Sequence, residues 1–342
     1  MAPPRKIIDQ VSGWLTVYDD GTVDRTWTGP PEVKFMAEPV PPHEEFVDGV
    51  ATRDVLVDGS PTLRLRVYLP EVRVSDQGKG EDGNGKLPIL LHFHGGGFCI
   101  SQPDWYMYHA VYTGLVKSAP AICVSPYLRL APENKLPAAI DDGYAALKWL
   151  RSLALGEMTD SWLSDRGDFD RIFLIGDSSG GNVVHAVAAR AGDFDLMGIR
   201  LAGAIPIHPG FVRKERSRSE MERPETPFLT RDMAEKFLAL ALPEGADRDH
   251  QITSPMGWLA RPLRELRMPP VLLCLAENDL ILDTEMEYYE AMKQGKHEIE
   301  LLMSHGMTHS FYLNRIAVKM DPETAAQTNL LFSGIADFIN RH

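Results

Sequence analysis

The sequence has little of what a disulfide-bonded or membrane-spanning protein needs. Only three cysteines occur among 342 residues, Cys99, Cys123 and Cys274, and three thiols give no even-numbered disulfide framework. No run of about 18 apolar residues is present to span a bilayer, and residues 1–6 contain no apolar core of a secretion signal. We therefore expect a reduced, cytoplasmic protein.

Positive charge is also scarce. The chain has 35 lysines and arginines against 48 aspartates and glutamates, which gives a formal net charge of −13. Such a surface repels nucleic acid and anionic lipid, so we expect neither as a partner. The 44% hydrophobic content is ample for one large core. These features predict a single large domain. We also expect a small-molecule partner and a monomer or weak dimer.

The first part of the chain shows mixed local patterns. Residues 6–13 have the apolar spacing of a short amphipathic helix. Residues 15–18 and 22–27 flank an Asp-Asp-Gly turn and predict a hairpin. Residues 74–86 are rich in glycine, aspartate and lysine, which predicts an exposed loop.

From Pro88 onwards, apolar strand-like runs alternate with helical patterns. This alternation indicates a mostly parallel sheet with helices on both faces, the α/β class. A charged stretch within 221–242, ending in a predicted helix at 230–242, interrupts the rhythm and predicts an insertion above the sheet. The predicted strands are 89–93, 121–127, 171–175, 201–208, 271–276 and 298–303. The predicted helices are 105–115, 138–153, 182–190, 284–293 and 324–340.

The segment Gly176-Asp177-Ser178-Ser179-Gly180 joins a predicted strand to a predicted helix. Its G-x-S-x-G form is typical of a sharp turn that exposes a serine hydroxyl, and the glycines let strand and helix approach closely. The alternative is a glycine- and serine-rich turn without chemistry. Because a serine hydroxyl is a weak nucleophile until a base takes its proton, partners elsewhere in the chain decide between the two.

A run of glycines, His94-Gly95-Gly96-Gly97-Phe98, follows the strand predicted at 89–93. Backbone N–H groups without side chains in the way can stabilise the negative charge that develops on a carbonyl oxygen during acyl transfer. We predict Gly95 and Gly96 as donors, joined by the N–H of Ser179. A phosphate-binding loop is the alternative, but it needs a Lys-Ser/Thr pair or G-x-G-x-x-G spacing, which this run lacks.

A carboxylate and a histidine follow two later strands. Asp279 lies just after the strand at 271–276 and His309 after the strand at 298–303, so both face the ligand side of the sheet. We predict Asp279 as the acid and His309 as the base of a catalytic triad with Ser178. Asp283 and His305 are the competing candidates. No helix carries an H-E-x-x-H motif, and we expect neither metal nor cofactor.

These motifs together resemble the plant carboxylesterases, in the hormone-sensitive-lipase-like branch of the α/β-hydrolases. Gibberellin receptors and 2-hydroxyisoflavanone dehydratases belong to the same branch. The likeness covers roughly residues 7–339. It implies the α/β-hydrolase fold, with a cap formed by about 1–45 and 213–250. The motifs that carry it are His94-Gly95-Gly96-Gly97-Phe98, Arg129-Leu130-Ala131-Pro132-Glu133, Leu136-Pro137-Ala138-Ala139, Gly176-Asp177-Ser178-Ser179-Gly180-Gly181-Asn182 and Gly245-Ala246-Asp247-Arg248-Asp249-His250.

The resemblance also implies a function. We expect a serine carboxylesterase that hydrolyses short-chain or small apolar esters through an acyl-enzyme. A non-catalytic binding protein similar to the gibberellin receptors is one alternative, but those lack the catalytic histidine and this chain has His309. A cyclase or dehydratase on the same scaffold is the other. Dehydratases often have threonine at the nucleophile position, whereas related cyclases keep serine, so Ser178 leaves that class open.

Overall fold

A central eight-stranded sheet organises residues 5–57, 63–71 and 85–342, which the computed structural model describes. Its strand order is β11-β10-β9-β8-β6-β7-β5-β4, and a separate small sheet has the order β1-β2-β3. The strands are β1 (Ile7–Val11), β2 (Leu15–Tyr18), β3 (Val23–Asp24), β4 (Val50–Leu56), β5 (Arg64–Pro70), β6 (Leu87–Phe93), β7 (Ile122–Pro126), β8 (Gly167–Asp177), β9 (Leu201–Ile207), β10 (Val271–Ala276) and β11 (Ile299–Ser304).

The central sheet is mostly parallel, as predicted. The five pairings from β11 through to β7 are all parallel, and only β5 runs antiparallel to its neighbours β4 and β7. Strands buried on both faces need apolar residues in succession, and all seven residues of β6 are buried. The carboxyl ends of β8, β9, β10 and β11 therefore meet along one edge of the sheet.

Helices cover both faces of this sheet. They are α1 (Tyr106–Ser118), α2 (Ala138–Ala154), α3 (Ser161–Arg166), α4 (Ser179–Ala191), α5 (Arg218–Glu222), α6 (Arg231–Ala241), α7 (Leu282–Gln294), α8 (Arg315–Met320) and α9 (Pro322–Arg341). Among the described residues, none of them has the length and apolarity that crossing a membrane requires.

Two apolar cores result, one on each face. Ile89 and Leu91 of β6 pack into the core that contains the buried faces of α2, α4 and α7. Leu90 points the other way, into the core that contains the buried faces of α1 and α9. The alternation follows from the two-residue side-chain period of a strand. Burying each such leucine or isoleucine stabilises the fold by about 1.5–3 kcal/mol.

The small N-terminal sheet corrects one prediction. Residues 6–13 were expected to be helical, but β1 pairs antiparallel with β2. The apolar spacing of Ile7, Ile8 and Val11 fits either structure, and the backbone hydrogen bonds to β2 decide for the strand. The predicted hairpin is confirmed, with β2 and β3 antiparallel and a shorter second strand than expected. The loop predicted at 74–86 lies outside the described residues, apart from its last two.

The segment 213–250 contains α5 and α6, and the helix predicted at 230–242 is confirmed. Thr230 caps α6 by accepting a hydrogen bond from the Met233 N–H. Lys236 Nζ on α6 donates to the Gln10 carbonyl at 2.8 Å, so this segment contacts the N-terminal sheet. These are the two segments that the resemblance assigns to a cap, and the division into body and cap stays a prediction.

Candidate active site

Ser178 lies at the sharp turn between the end of β8 and the first residue of α4. Its backbone is strained, with φ 51° and ψ −124°. The Ser178 N–H donates to the Ile207 carbonyl at 2.9 Å, and the Ser178 carbonyl accepts from Gly181 at 2.8 Å and Gly210 at 3.0 Å. A Cβ on Gly180 would come within 2.0 Å of the Phe93 carbonyl oxygen, so only glycine allows this approach of α4 to β6.

The structure brings Asp279 and His309 to this serine. His309 Nε2 lies 3.0 Å from Ser178 Oγ, and His309 Nδ1 lies 2.7 Å from Asp279 Oδ2. Asp279 follows β10 and His309 follows β11, so neighbouring parallel strands deliver both side chains to one edge of the sheet. All three residues predicted for the triad are therefore joined by hydrogen-bond distances.

The buried Asp279 carboxylate sets the electrostatics of the group. Burial alone would raise its pKa, but the adjacent His309, by its charge and its hydrogen bond, outweighs burial and lowers the pKa below its usual value, with further help from His208 and the Ile281 N–H. Asp279 therefore stays ionised and accepts a hydrogen bond from the N–H at His309 Nδ1. That arrangement leaves the lone pair of Nε2 directed at the Ser178 hydroxyl.

His208, at the end of β9, was missed as a site residue in the sequence. Its Nδ1 accepts a hydrogen bond from the Ser310 N–H at 2.9 Å, and its ring centroid lies 5.8 Å from that of His309. Burial lowers the pKa of His208 to about 4, so the ring is neutral near pH 7. His208 thus supports the loop that carries His309. Its position after a strand of the parallel sheet was the available signal.

His208, Asp279 and His309 also form a cluster of the kind that can hold a metal, with one ligand atom of each within 4.8 Å of the others. Both nitrogens of His309 and one of His208 already take part in hydrogen bonds. Three of the four ring nitrogens in this cluster are therefore already in use, and the expectation of no metal stays a prediction.

The competing candidates lie elsewhere. The His305 side chain is 74% exposed, and its Nδ1 lies 3.7 Å from Glu277 Oε2. Asp283 Oδ2 accepts a hydrogen bond from the Ser219 N–H at 2.7 Å, which ties the first turn of α7 to α5. Among the described residues, neither side chain is hydrogen-bonded to Ser178 or to the other, so this geometry favours Asp279 and His309.

The structure of the glycine run contradicts the prediction that the Gly95 N–H is a free donor. Its N–H donates to the Tyr108 hydroxyl at 2.9 Å and is therefore already used. Gly96, Gly97 and Ser179 line the cavity beside Ser178. Within the described ranges, their N–H groups have no protein acceptor. Gly97 is the residue that the sequence reasoning overlooked, because the run alone does not show which N–H is turned away.

Tyr108 connects the glycine run to the serine turn. Its hydroxyl accepts from Gly95 and donates to Asp177 Oδ2 at 3.0 Å. Burial, and then the nearby Asp177 carboxylate, raise the pKa of Tyr108 well above its usual value, so the hydroxyl keeps its proton. One buried side chain of α1 thus fixes the spacing between the two backbone segments that border the reacting position.

A cavity of about 90 Å³ opens beside Ser178 and His309. Its walls are mostly apolar, and part of them comes from the two segments predicted to form a cap: Trp14 from the N-terminal sheet, and Phe228, Met233 and Phe237 from 213–250. Among the described lining residues there is no lysine or arginine. The cavity therefore suits a small, uncharged, apolar group.

Comparisons with known proteins agree with this geometry. A family model described as alpha/beta hydrolase fold matches residues 90–313. Probable carboxylesterase 6 of Arabidopsis thaliana is 33% identical over 310 residues, which cover 90% of this chain and 85% of the relative. The gibberellin receptor GID1C of the same plant is 37% identical over 91% of this chain and 88% of its own. The 2-hydroxyisoflavanone dehydratase of Glycyrrhiza echinata is 34% identical over 95% and 94%.

Solved structures show the same fold. Carboxyl esterase 2 of Tuber melanosporum superposes with a TM-score of 0.69 at 21% identity, covering 91% of this chain and 95% of its own. At that identity the likeness supports the fold alone, and the predicted α/β-hydrolase fold is confirmed. The chain belongs to the α/β-hydrolase family, in the branch that contains the plant carboxylesterases, the gibberellin receptors and 2-hydroxyisoflavanone dehydratase.

Proposed function

We propose that this protein is a serine carboxylesterase with Ser178, His309 and Asp279 as its catalytic triad. The observation that carries the proposal is the hydrogen-bonded series from Asp279 through His309 to Ser178, at 2.7 Å and 3.0 Å, beside an apolar cavity. Relatives named as carboxylesterases support it.

The proposed reaction has two halves. Ser178 Oγ attacks the ester carbonyl carbon while its proton passes to His309 Nε2, and the negative charge moves to the carbonyl oxygen. As the carbon–oxygen bond to the alcohol breaks, His309 gives that proton to the leaving oxygen. His309 then takes a proton from water, whose oxygen attacks the acyl carbon. The returning proton restores the Ser178 hydroxyl and the carboxylic acid leaves.

We propose Gly96, Gly97 and Ser179 as the donors of the oxyanion hole. Their N–H groups border the position where the carbonyl oxygen becomes negative, and Gly97 takes the role first predicted for Gly95. Each such donor contributes roughly 3–4 kcal/mol of transition-state stabilisation in related chemistry. The Gly95 N–H acts indirectly, because its bond to Tyr108 holds the loop in place.

Two alternative functions do not involve ester hydrolysis. A receptor similar to GID1C does not need a base at 3.0 Å from a serine hydroxyl, and this contact favours an enzyme. A cyclase or dehydratase uses a base to move protons without an acyl-enzyme, and His309 could serve as that base.

We also propose that the protein is cytoplasmic and is a monomer or weak dimer. The three buried, unpaired cysteines support a reducing compartment.

The first prediction concerns the nucleophile. Replacing Ser178 by alanine should lower kcat for p-nitrophenyl butyrate by about 10⁴-fold or more, because the attacking oxygen is gone. Fluorophosphonate labelling should be lost as well. Ser118→Ala, on the exposed end of α1, is the matched control and should keep both. A Ser178→Ala enzyme with a near-normal rate would remove Ser178 from the mechanism, whereas labelling of the wild type without any ester turnover would favour the cyclase or dehydratase class.

The second prediction separates the two histidines. His309→Ala should reduce kcat by several orders of magnitude, since the base is removed, while His305→Ala should stay within a few-fold because its ring is exposed and far from the serine. Steady-state kinetics of both variants check this. A large loss in His305→Ala alone would reverse the assignment.

The third prediction concerns acyl length. Each buried CH₂ of the acyl chain adds roughly 0.8 kcal/mol of binding free energy until the chain meets the cavity wall. A cavity of about 90 Å³ leaves little room for more than a short chain. We expect kcat/KM to rise from acetyl to about butyryl p-nitrophenyl esters and to fall for longer chains. The measurement is the series from about two to sixteen carbons under one set of conditions. A maximum at about twelve carbons or more would indicate a lipase.

A further inference from the structure

A second cavity adjoins the catalytic one at Trp14. It measures about 270 Å³ and is lined by residues of the N-terminal segment together with Trp105, just before α1. Trp14 lines this cavity and the catalytic one, so the two cavities are neighbours. A cavity on the order of 150 Å³ accepts a benzene molecule, so the second cavity has room for an aromatic ring.

The walls of this second cavity are unusually aromatic. It is lined by Trp14, Trp27 and Trp105, three of the six tryptophans in the chain. The Trp14 and Trp105 rings are nearly parallel, 11° apart with centroids separated by 6.1 Å, and the Trp27 ring meets Trp14 edge-on at 4.5 Å. The Trp27 indole N–H donates to the Pro30 carbonyl at 2.9 Å, which fixes its orientation. Such faces favour stacked or edge-to-face contacts with another ring.

The charges at this cavity are already neutralised. Arg25 donates to both carboxylate oxygens of Glu133, and also to the carbonyls of Cys99 and Ala131. At the exposed rim, Lys34 Nζ lies 3.9 Å from Glu38 Oε1. Each cation of the lining already has an anionic partner. A charged ligand would therefore find no unpaired charge of opposite sign there. The recognised group is therefore uncharged and flat.

We propose that this second cavity is a subsite for an uncharged aromatic ring in the alcohol part of the ester substrate. The inference rests on the proposed esterase function. The catalytic cavity takes the short acyl chain, and the neighbouring cavity at Trp14 then takes the other half of the ester. The reacting carbonyl then lies at Ser178 in the catalytic cavity, and the alcohol part extends past Trp14 into the second cavity. The enzyme is thereby selective for short-chain esters of aryl-substituted alcohols.

Trp27 is the residue to change, because it lines only the second cavity. Trp27→Leu should raise KM for 2-naphthylmethyl acetate about 10-fold, through loss of ring stacking, and leave both constants for ethyl acetate within about two-fold. Trp258→Leu removes a tryptophan that is 81% exposed, and this matched control should change neither ester. Equal KM changes for the two acetates, or no change for the naphthyl ester, would overturn the subsite.

A binding measurement tests the subsite without catalysis. Calorimetry with Ser178→Ala protein should detect 2-naphthylmethanol binding. Adding Trp27→Phe, a smaller ring that preserves the aromatic wall, should weaken it several-fold. Cyclohexylmethanol and methyl glucoside should bind at least 10-fold more weakly than the naphthyl alcohol. Binding here without ester turnover by the wild type would refute only the esterase function. Absent naphthylmethanol binding, or tighter binding of the glucoside, would refute the aromatic subsite.

Discussion

The hydrogen bond between the buried Asp279 and His309 is the contact on which the proposed chemistry depends. It is short, at 2.7 Å, and it holds the pKa of Asp279 low against the effect of burial. With the proton kept on Nδ1, the other nitrogen of His309 faces the serine as an acceptor. The strained backbone at Ser178 completes the arrangement, since three backbone hydrogen bonds hold the hydroxyl at the exposed turn.

The parallel sheet explains why residues far apart in sequence meet there. Ser178, His208, Asp279 and His309 each lie in the segment that follows one of the adjacent strands β8, β9, β10 and β11, so all four are brought to one edge of the sheet. Apolar cores on both faces keep these strands in register. Tyr108 of α1 then links the glycine run to the serine turn, because its hydroxyl bonds to both Gly95 and Asp177.

Sequence motifs predicted the sheet, most of its helices and the three residues now found within hydrogen-bond distance, because their spacing follows the chemistry and the strand ends. They failed where the structure depends on a contact between residues that are distant in the sequence. Gly95 was predicted as a free donor, but the hydroxyl of Tyr108, thirteen residues away, accepts its N–H. Residues 6–13 have helical spacing, yet pairing with β2 makes them a strand. The aromatic walls beyond Trp14 come from separate segments, so no local pattern indicated them.

The central claim is that the serine at the turn forms a covalent acyl-enzyme. Rapid acid quenching of the full-length protein during turnover of p-nitrophenyl butyrate, followed by peptide mass spectrometry, tests it directly. The account predicts one butyryl group on the peptide that contains Ser178, with the modified oxygen belonging to that residue. Ester turnover with the acyl group on another side chain, or with no acylated peptide under conditions that trap the intermediate of a known serine esterase, would contradict it.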